Sequence, residues 1–172
     1  MKIFKNRHEL KKAIHNEKRI SFIPTMGGLH KGHLSLIKKA QKLRGKILVS
    51  IFVNPKQFND KKDYLKYPRN LKKDLNYLKK NKVDYLFLPT GKNIFNFKPK
   101  KKIFLHKFSE KLCGRHRKGH FKGVLDIINR FLEVIKPKFL LLGEKDFQQL
   151  FLVNKHIIKN KIKSKVIPCK TI

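Results

Sequence analysis

Short apolar runs, each ended by Pro, Asn or Gly and alternating with segments of helical spacing, decide what this chain can fold into. Arg19 to Pro24 is one such run with a sharp stop, and Lys46 to Val53 is another, broken by Asn54-Pro55. Val83 to Leu88, Phe139 to Leu142 and Val166-Ile167 read as three further strands. Between them, Leu29 to Arg44, Leu71 to Lys80, Gly123 to Ile135 and Phe147 to Asn160 carry apolar residues at helical spacing, the pattern of helices with one buried face. Strands that are apolar on both faces need cover on both faces. Alternating with helices, they predict an α/β fold, a Rossmann-like parallel sheet with helices on both sides. One such domain accounts for residues 1–172. The remaining stretches are less regular. Residues 1–19 predict a short amphipathic helix around Leu10 and Ile14, 56–68 a surface loop, 92–102 a lysine-rich excursion without a period, and 103–108 a short strand.

Ligands on open parallel sheets bind beyond the carboxyl ends of the strands, so the segments after each strand hold the candidate site. The first is Thr25-Met-Gly-Gly-Leu-His-Lys-Gly-His33. Gly27 and Gly28 allow the backbone to approach a phosphate, and the helix that follows aims its N-terminal amides and positive dipole end at the same place. His30 and His33, three apart at the helix start, can face one anion, while Gly32 keeps side-chain bulk away. A capped helix with surface histidines is the plain alternative. Two histidines framing a glycine, after a glycine pair, favour the anion site.

After the second strand, Asn54 and Gln57 offer neutral amides that bond hydroxyls or a carboxylate without adding charge, or else simply cap the loop. Arg117, Lys118 and His120 surround Gly119, a flexible basic cluster fit to clamp phosphate or carboxylate, against the alternative of a solvated basic face. Gly143-Glu-Lys-Asp146 follows the fourth strand, with Lys145 placed to neutralise a phosphate and Gln148 and Gln149 opening the next helix. The alternative there is a helix start whose acidic residues favour the dipole.

The formal net charge of +33 attracts polyanions at low salt, so nucleic acid is expected as a non-specific partner. Only seven of the 44 basic residues are arginine, and they are scattered among Lys, Asn, Ile and Phe, all residues with AT-rich codons. Codon bias accounts for such a pattern, and the charge says little about function. Cys113 and Cys169 match no metal or redox spacing and read as reduced thiols of a cytoplasmic protein. The first twenty residues lack an apolar leader core, and no run of eighteen apolar residues predicts a membrane span.

His30-Lys-Gly-His33 has the HxGH form of a nucleotidyltransferase superfamily that includes class I aminoacyl-tRNA synthetases. More narrowly, Pro24 to His33 resembles the pantothenate synthetase (pantoate-beta-alanine ligase) family. Four further segments resemble that family in the same order: Val49 to Phe58, Tyr67-Pro-Arg69, Arg117 to Val124 and Gly143 to Gln149. The resemblance implies an AMP-forming ligase that condenses pantoate with β-alanine at the expense of ATP, through a pantoyl adenylate. It implies that Met26, Gly27, Gly28, Leu29, His30, Lys31, Gly32 and His33 line the nucleotide together with Gly143, Glu144, Lys145 and Asp146. His30, His33 and Lys145 would stabilise charge at the phosphates, with His33 as proton donor. Gln57 and Gln149 would hold pantoate, with Asn54 nearby, and Arg117 and His120 would lie on the β-alanine side. Asp74 is the implied contact for magnesium, Mg2+ being otherwise bound by the substrate phosphates. A homodimer is implied as well.

The family continues past the last strand with a Ser-Ser-Arg motif and a small C-terminal domain that closes over ATP. This sequence stops at Lys170-Thr-Ile172, so that domain is expected to be absent and turnover by this chain poor. Two rivals share some of the signal. Another HxGH nucleotidyltransferase would share the first motif but not Asn54 to Phe58 together with Gly143 to Gln149. A basic nucleic-acid-binding protein would show clustered Arg and exposed aromatics, whereas most phenylalanines here occupy core positions.

Overall fold

The computed structural model describes residues 1–170. In chain order the elements are β1 (Lys2–Phe4), α1 (Arg7–Ala13), β2 (Ile20–Thr25), α2 (Lys31–Lys42), β3 (Lys46–Ile51), α3 (Lys61–Lys66), α4 (Leu71–Lys80), β4 (Tyr85–Phe87), α5 (Gly91–Phe95), α6 (Cys113–His116), α7 (His120–Ile135), β5 (Phe139–Gly143), α8 (Phe147–Lys159) and β6 (Lys165–Cys169). Short 3-10 turns occupy Pro55–Gln57, Lys107–Glu110 and Glu144–Asp146. The strands form one six-stranded sheet in the order β1-β4-β3-β2-β5-β6, and every pairing is parallel.

Side chains of successive strand residues point to opposite faces, and each central strand serves two cores. On one face Phe22, Leu48, Phe87, Leu140 and Leu142 pack against Leu10 of α1, Val124, Leu125, Ile128 and Phe131 of α7, and Val153 and Ile157 of α8. On the other, Ile23, Ile47, Val49, Leu86, Phe139 and Leu141 meet Leu36, Ile37 and Ala40 of α2 and Leu78 of α4. Phe131 stands edge-on to Phe22 at 5.5 Å and to Phe87 at 6.0 Å, locking α7 to the middle of the sheet. The expected doubly covered parallel sheet is therefore present.

Four local expectations change. Lys2–Phe4 forms an edge strand where only helix was expected; three half-exposed residues are too short to show a period. The 56–68 segment contains α3, capped by Asp60, rather than only loop. Residues 92–102 begin inside α5, and Phe95 and Phe97 are packed against the core. The 103–108 stretch is not a strand. Its amides at Phe104 and Phe108 donate to the Nδ1 atoms of His156 and His106, so no ladder forms.

Candidate active site

Along the sheet, β2 leads toward β3 on one side while β5 lies on its other side, so the loops after β2 and β5 diverge from neighbouring strand ends. That is a topological switch point, the usual crevice of open α/β sheets.

The loop after β2 is held by hydrogen bonds within itself and from α4. Gly27 and Gly28 both have positive φ, at 83° and 64°. The Gly27 amide donates to Thr25 Oγ1 at 3.2 Å. Those of Gly28 and Leu29 donate to the two carboxylate oxygens of Asp74 at 3.0 and 2.8 Å. His30 is the N-cap of α2: its Nδ1 accepts from the Gly32 amide at 3.1 Å, while the His30 amide donates to His33 Nδ1 at 3.3 Å. The rings lie 4.3 Å apart. A Cβ on Gly32 would sit 2.9 Å from His30 Cε1, so the imidazole occupies the space a side chain would take.

These bonds fix the tautomers. A neutral imidazole that accepts at Nδ1 carries its proton on Nε2, leaving both histidines one N–H to offer a ligand. Burial pulls His33 down to about 4, with His30 and Lys145 acting in the same direction and Asp74 and Asp146 opposing. At neutral pH His33 is thus an uncharged donor. The amides of residues 27–30 and 32 are already engaged, so the expected cradle of backbone donors around a phosphate is not what this loop presents.

The loop after β5 is the opposite. Glu144, Lys145 and Asp146 are exposed, and their side chains make no hydrogen bond or ion pair among the described residues. They follow β5, the parallel neighbour of β2, so their segment leaves the same end of the sheet as the histidine loop.

The loop after β3 closes the third side. Asn54 is 1% exposed and fully used: Nδ2 donates to Gly123 O at 3.0 Å and to Gln57 Oε1 at 3.3 Å, and Oδ1 accepts from the Lys56 amide. Asn54 therefore shapes the turn, while Gln57, buried beside Met26, extends its Nε2 to the Met26 sulfur at 2.9 Å. His120 donates from Nδ1 to Gln57 O at 2.7 Å. Burial lowers the His120 pKa, the bond to Gln57 raises it, Arg117 lowers it and Asp146 raises it. Residues 118–120 thus adjoin the loop after β3, with Lys118 O also accepting from Asn59. Gly123 makes this possible: a Cβ there would overlap the Lys56 carbonyl, so α7 touches the 55–57 turn backbone to backbone.

Other expected residues fall differently. Gln149 is half-buried with no protein hydrogen bond among the described residues, and its neighbour Gln148 is tied to the carbonyls of Phe108 and Lys111. Lys31 and Arg117 are exposed. Arg69 is spent on the carbonyls of Tyr64, Leu65 and Tyr67. Asp74, expected as a magnesium contact, is 2% exposed with both oxygens engaged by backbone amides. No cluster of three His, Cys, Asp or Glu side chains fit to hold a metal exists among the described residues. The donor set does not fit a protein-held magnesium ion. Tyr77 was not anticipated. Its hydroxyl donates to His30 O at 2.9 Å, and its place three residues after Asp74 on α4 was the available signal.

Fold and rim together define an open parallel α/β protein whose switch point carries a histidine pair, a free lysine and buried amides. The chain belongs to the pantoate-beta-alanine ligase family, whose model matches residues 2–172. It is 44% identical over 163 residues to the pantothenate synthetase of Flavobacterium psychrophilum, an alignment covering 94% of this chain and 58% of that protein. It superposes on the Francisella tularensis pantoate-beta-alanine ligase complexed with beta-gamma ATP and beta-alanine with a TM-score of 0.93 and 39% identity, over all of this chain and 67% of that one. The pantothenate synthetase of Thermus thermophilus matches with a TM-score of 0.93 at 32% identity, over 62% of its length. This chain thus spans 58 to 67% of the length of these relatives. Thr171 and Ile172, part of the sequence likeness, lie outside the described residues. Among the described residues no helix is long and apolar enough to cross a membrane.

Proposed function

We propose that this chain carries the nucleotide and pantoate half of a cytoplasmic, AMP-forming ligase that joins pantoate to β-alanine. The reading is supported by the segments that hold His33, Gln57 and Lys145 all following parallel strands at one end of the sheet, with His120 bonded to the Gln57 carbonyl. In the first step the pantoate carboxylate attacks the α-phosphorus of ATP. A carboxylate oxygen–phosphorus bond forms, the α–β bridging bond breaks, and pyrophosphate leaves. In the second, the β-alanine amine attacks the activated carbonyl, loses a proton and expels AMP.

The residues contribute charge stabilisation and placement. Nε2–H groups of His30 and His33 donate to phosphate oxygens, and the ammonium of Lys145, with no competing partner, neutralises the charge that develops on them. Binding of a triphosphate raises the His33 pKa from its depressed value, so a larger fraction of the rings carries a second proton beside the phosphates. Gln57 and Gln149 receive the pantoate hydroxyls, Asn54 and Gly123 hold Gln57 in place, and Arg117 and His120 face the amino acid. The described residues offer magnesium no cage, so such an ion would be held by the nucleotide's own phosphates. The many lysines add a salt-sensitive, non-specific attraction to polyanions.

Isotope-labelled pyrophosphate–ATP exchange tests the first step without needing the second. Exchange that depends on pantoate, and that His33→Ala abolishes, is the expected result. Exchange indifferent to pantoate would refute the assignment.

A further inference from the structure

The depth at which Asp74 is buried has a consequence for how the histidine pair is held. We propose that Asp74 and Tyr77, one turn apart on α4, form a positioning pair that fixes the 28–30 backbone behind the histidines, and that Asp74 does this instead of binding magnesium. The inference rests on the ligase reading only for what the loop binds.

Three consecutive loop residues are gripped from one helix face. Asp74 Oδ2 accepts from Gly28, Oδ1 accepts from Leu29, and the Tyr77 hydroxyl donates to the His30 carbonyl. A carboxylate 2% exposed persists only with strong partners, and two charge-assisted bonds to amides supply them. The fit is close: a Cβ on Gly27 would lie 3.0 Å from Asp74 Oδ2 and 3.2 Å from Ile51 Cγ2. Glycine at 27 is therefore explained by the seating of this carboxylate as well as by its positive φ. The Gly28 and Leu29 amides are spent on Asp74, which shifts anion recognition to the imidazole Nε2–H groups. The Asp74 charge also acts on His33, opposing the effects of burial, His30 and Lys145, with Asp146 acting in the same direction as Asp74. Removing the carboxylate thus loosens the loop and changes the His33 titration together, which mere loss of packing does not do.

The test is backbone amide exchange and imidazole titration by NMR on the full chain, with Asp74→Asn, Tyr77→Phe and Mg2+ alone as the probe. In the parent protein the Gly28 and Leu29 amides should be protected and unmoved by Mg2+. In Asp74→Asn they should exchange at least about tenfold faster, with β2 protection retained and the His33 midpoint lowered further. Tyr77→Phe should keep that protection yet weaken ATP binding roughly threefold to tenfold. Unprotected Gly28 and Leu29 amides in the parent, or Mg2+-dependent shifts there that Asp74→Asn removes, would overturn the proposal even if the asparagine variant proves unstable. None of these readouts uses pantoate or turnover, so failed pyrophosphate exchange leaves the positioning pair standing, and unprotected amides leave the ligase reading standing.

Discussion

The loops after β2 and β5 leave neighbouring strands at the same rim but are made in opposite ways. Residues 27–33 are cross-bonded by Thr25, Asp74, Tyr77 and the two imidazoles, so their geometry exists before any ligand arrives. Residues 144–146 carry three charged side chains with no bound partner among the described residues. One side of the crevice is preorganised and the other adjustable. A reaction whose phosphates change charge and then depart is served by that division: fixed neutral donors set position, and an unanchored ammonium follows the charge.

The largest effects should come from the donors themselves. His33→Ala should cut pantoate-dependent pyrophosphate exchange on the order of a hundredfold to a thousandfold, with circular dichroism and the melting midpoint little changed. Lys145→Ala should lose a similar factor, but a lysine on the adjustable side tolerates Lys145→Arg in part, whereas no conservative change at His33 should rescue. Equal rescue at both positions would erase the contrast between the loops.

Next in size is a pH effect. Burial alone pulls His156 from the usual 6.5 to about 4, where its Nε2 meets Asn129 Oδ1 and its Nδ1 accepts from the Phe104 amide. The folded value lies below the unfolded one. Stability is therefore whole above pH 6.5, falls as pH drops from 6.5 to 4, and levels off below that, by roughly 3 kcal/mol for this group. Urea midpoints across that range check it. ATP should raise the titration of His33, which shares the same low value, and leave His156 unmoved; if both move, the response is global rather than local to the rim.

Gly123→Ala should destabilise by about 2 kcal/mol, since its Cβ would collide with the Lys56 carbonyl and push the Gln57 turn outward. Pantoate affinity should suffer more than ATP affinity. The smallest effect belongs to Glu144→Gln on the open loop, expected to alter ATP affinity within about twofold by calorimetry.

The sheet was legible because Phe22, Leu48, Leu86 and Leu141 belong to strands apolar on both faces, a pattern few other structures share. The places of the histidine pair and Lys145 beyond β2 and β5 were legible because both segments directly follow apolar runs. The bonds of Asp74 to the glycine loop were not legible: its partners lie 45 and 46 positions away, and nothing in a linear sequence ties a helix carboxylate to a distant glycine loop. Capping of the turn by Asn54 was open to reading, but its bond to Gly123 was hidden for the same reason, since Gly123 is 69 positions off. Lys2–Phe4 escaped because an edge strand of three residues leaves no period to read.

The most direct test of the account is chemical-shift mapping of ATP on the labelled chain, read separately at imidazole, lysine ammonium and backbone amide resonances. Shifts at the His30 and His33 rings and at Lys145, with Gly28 and Leu29 amides still protected, are the predicted result. Shifts confined to the exposed lysines of α2, with the rings silent, would contradict it.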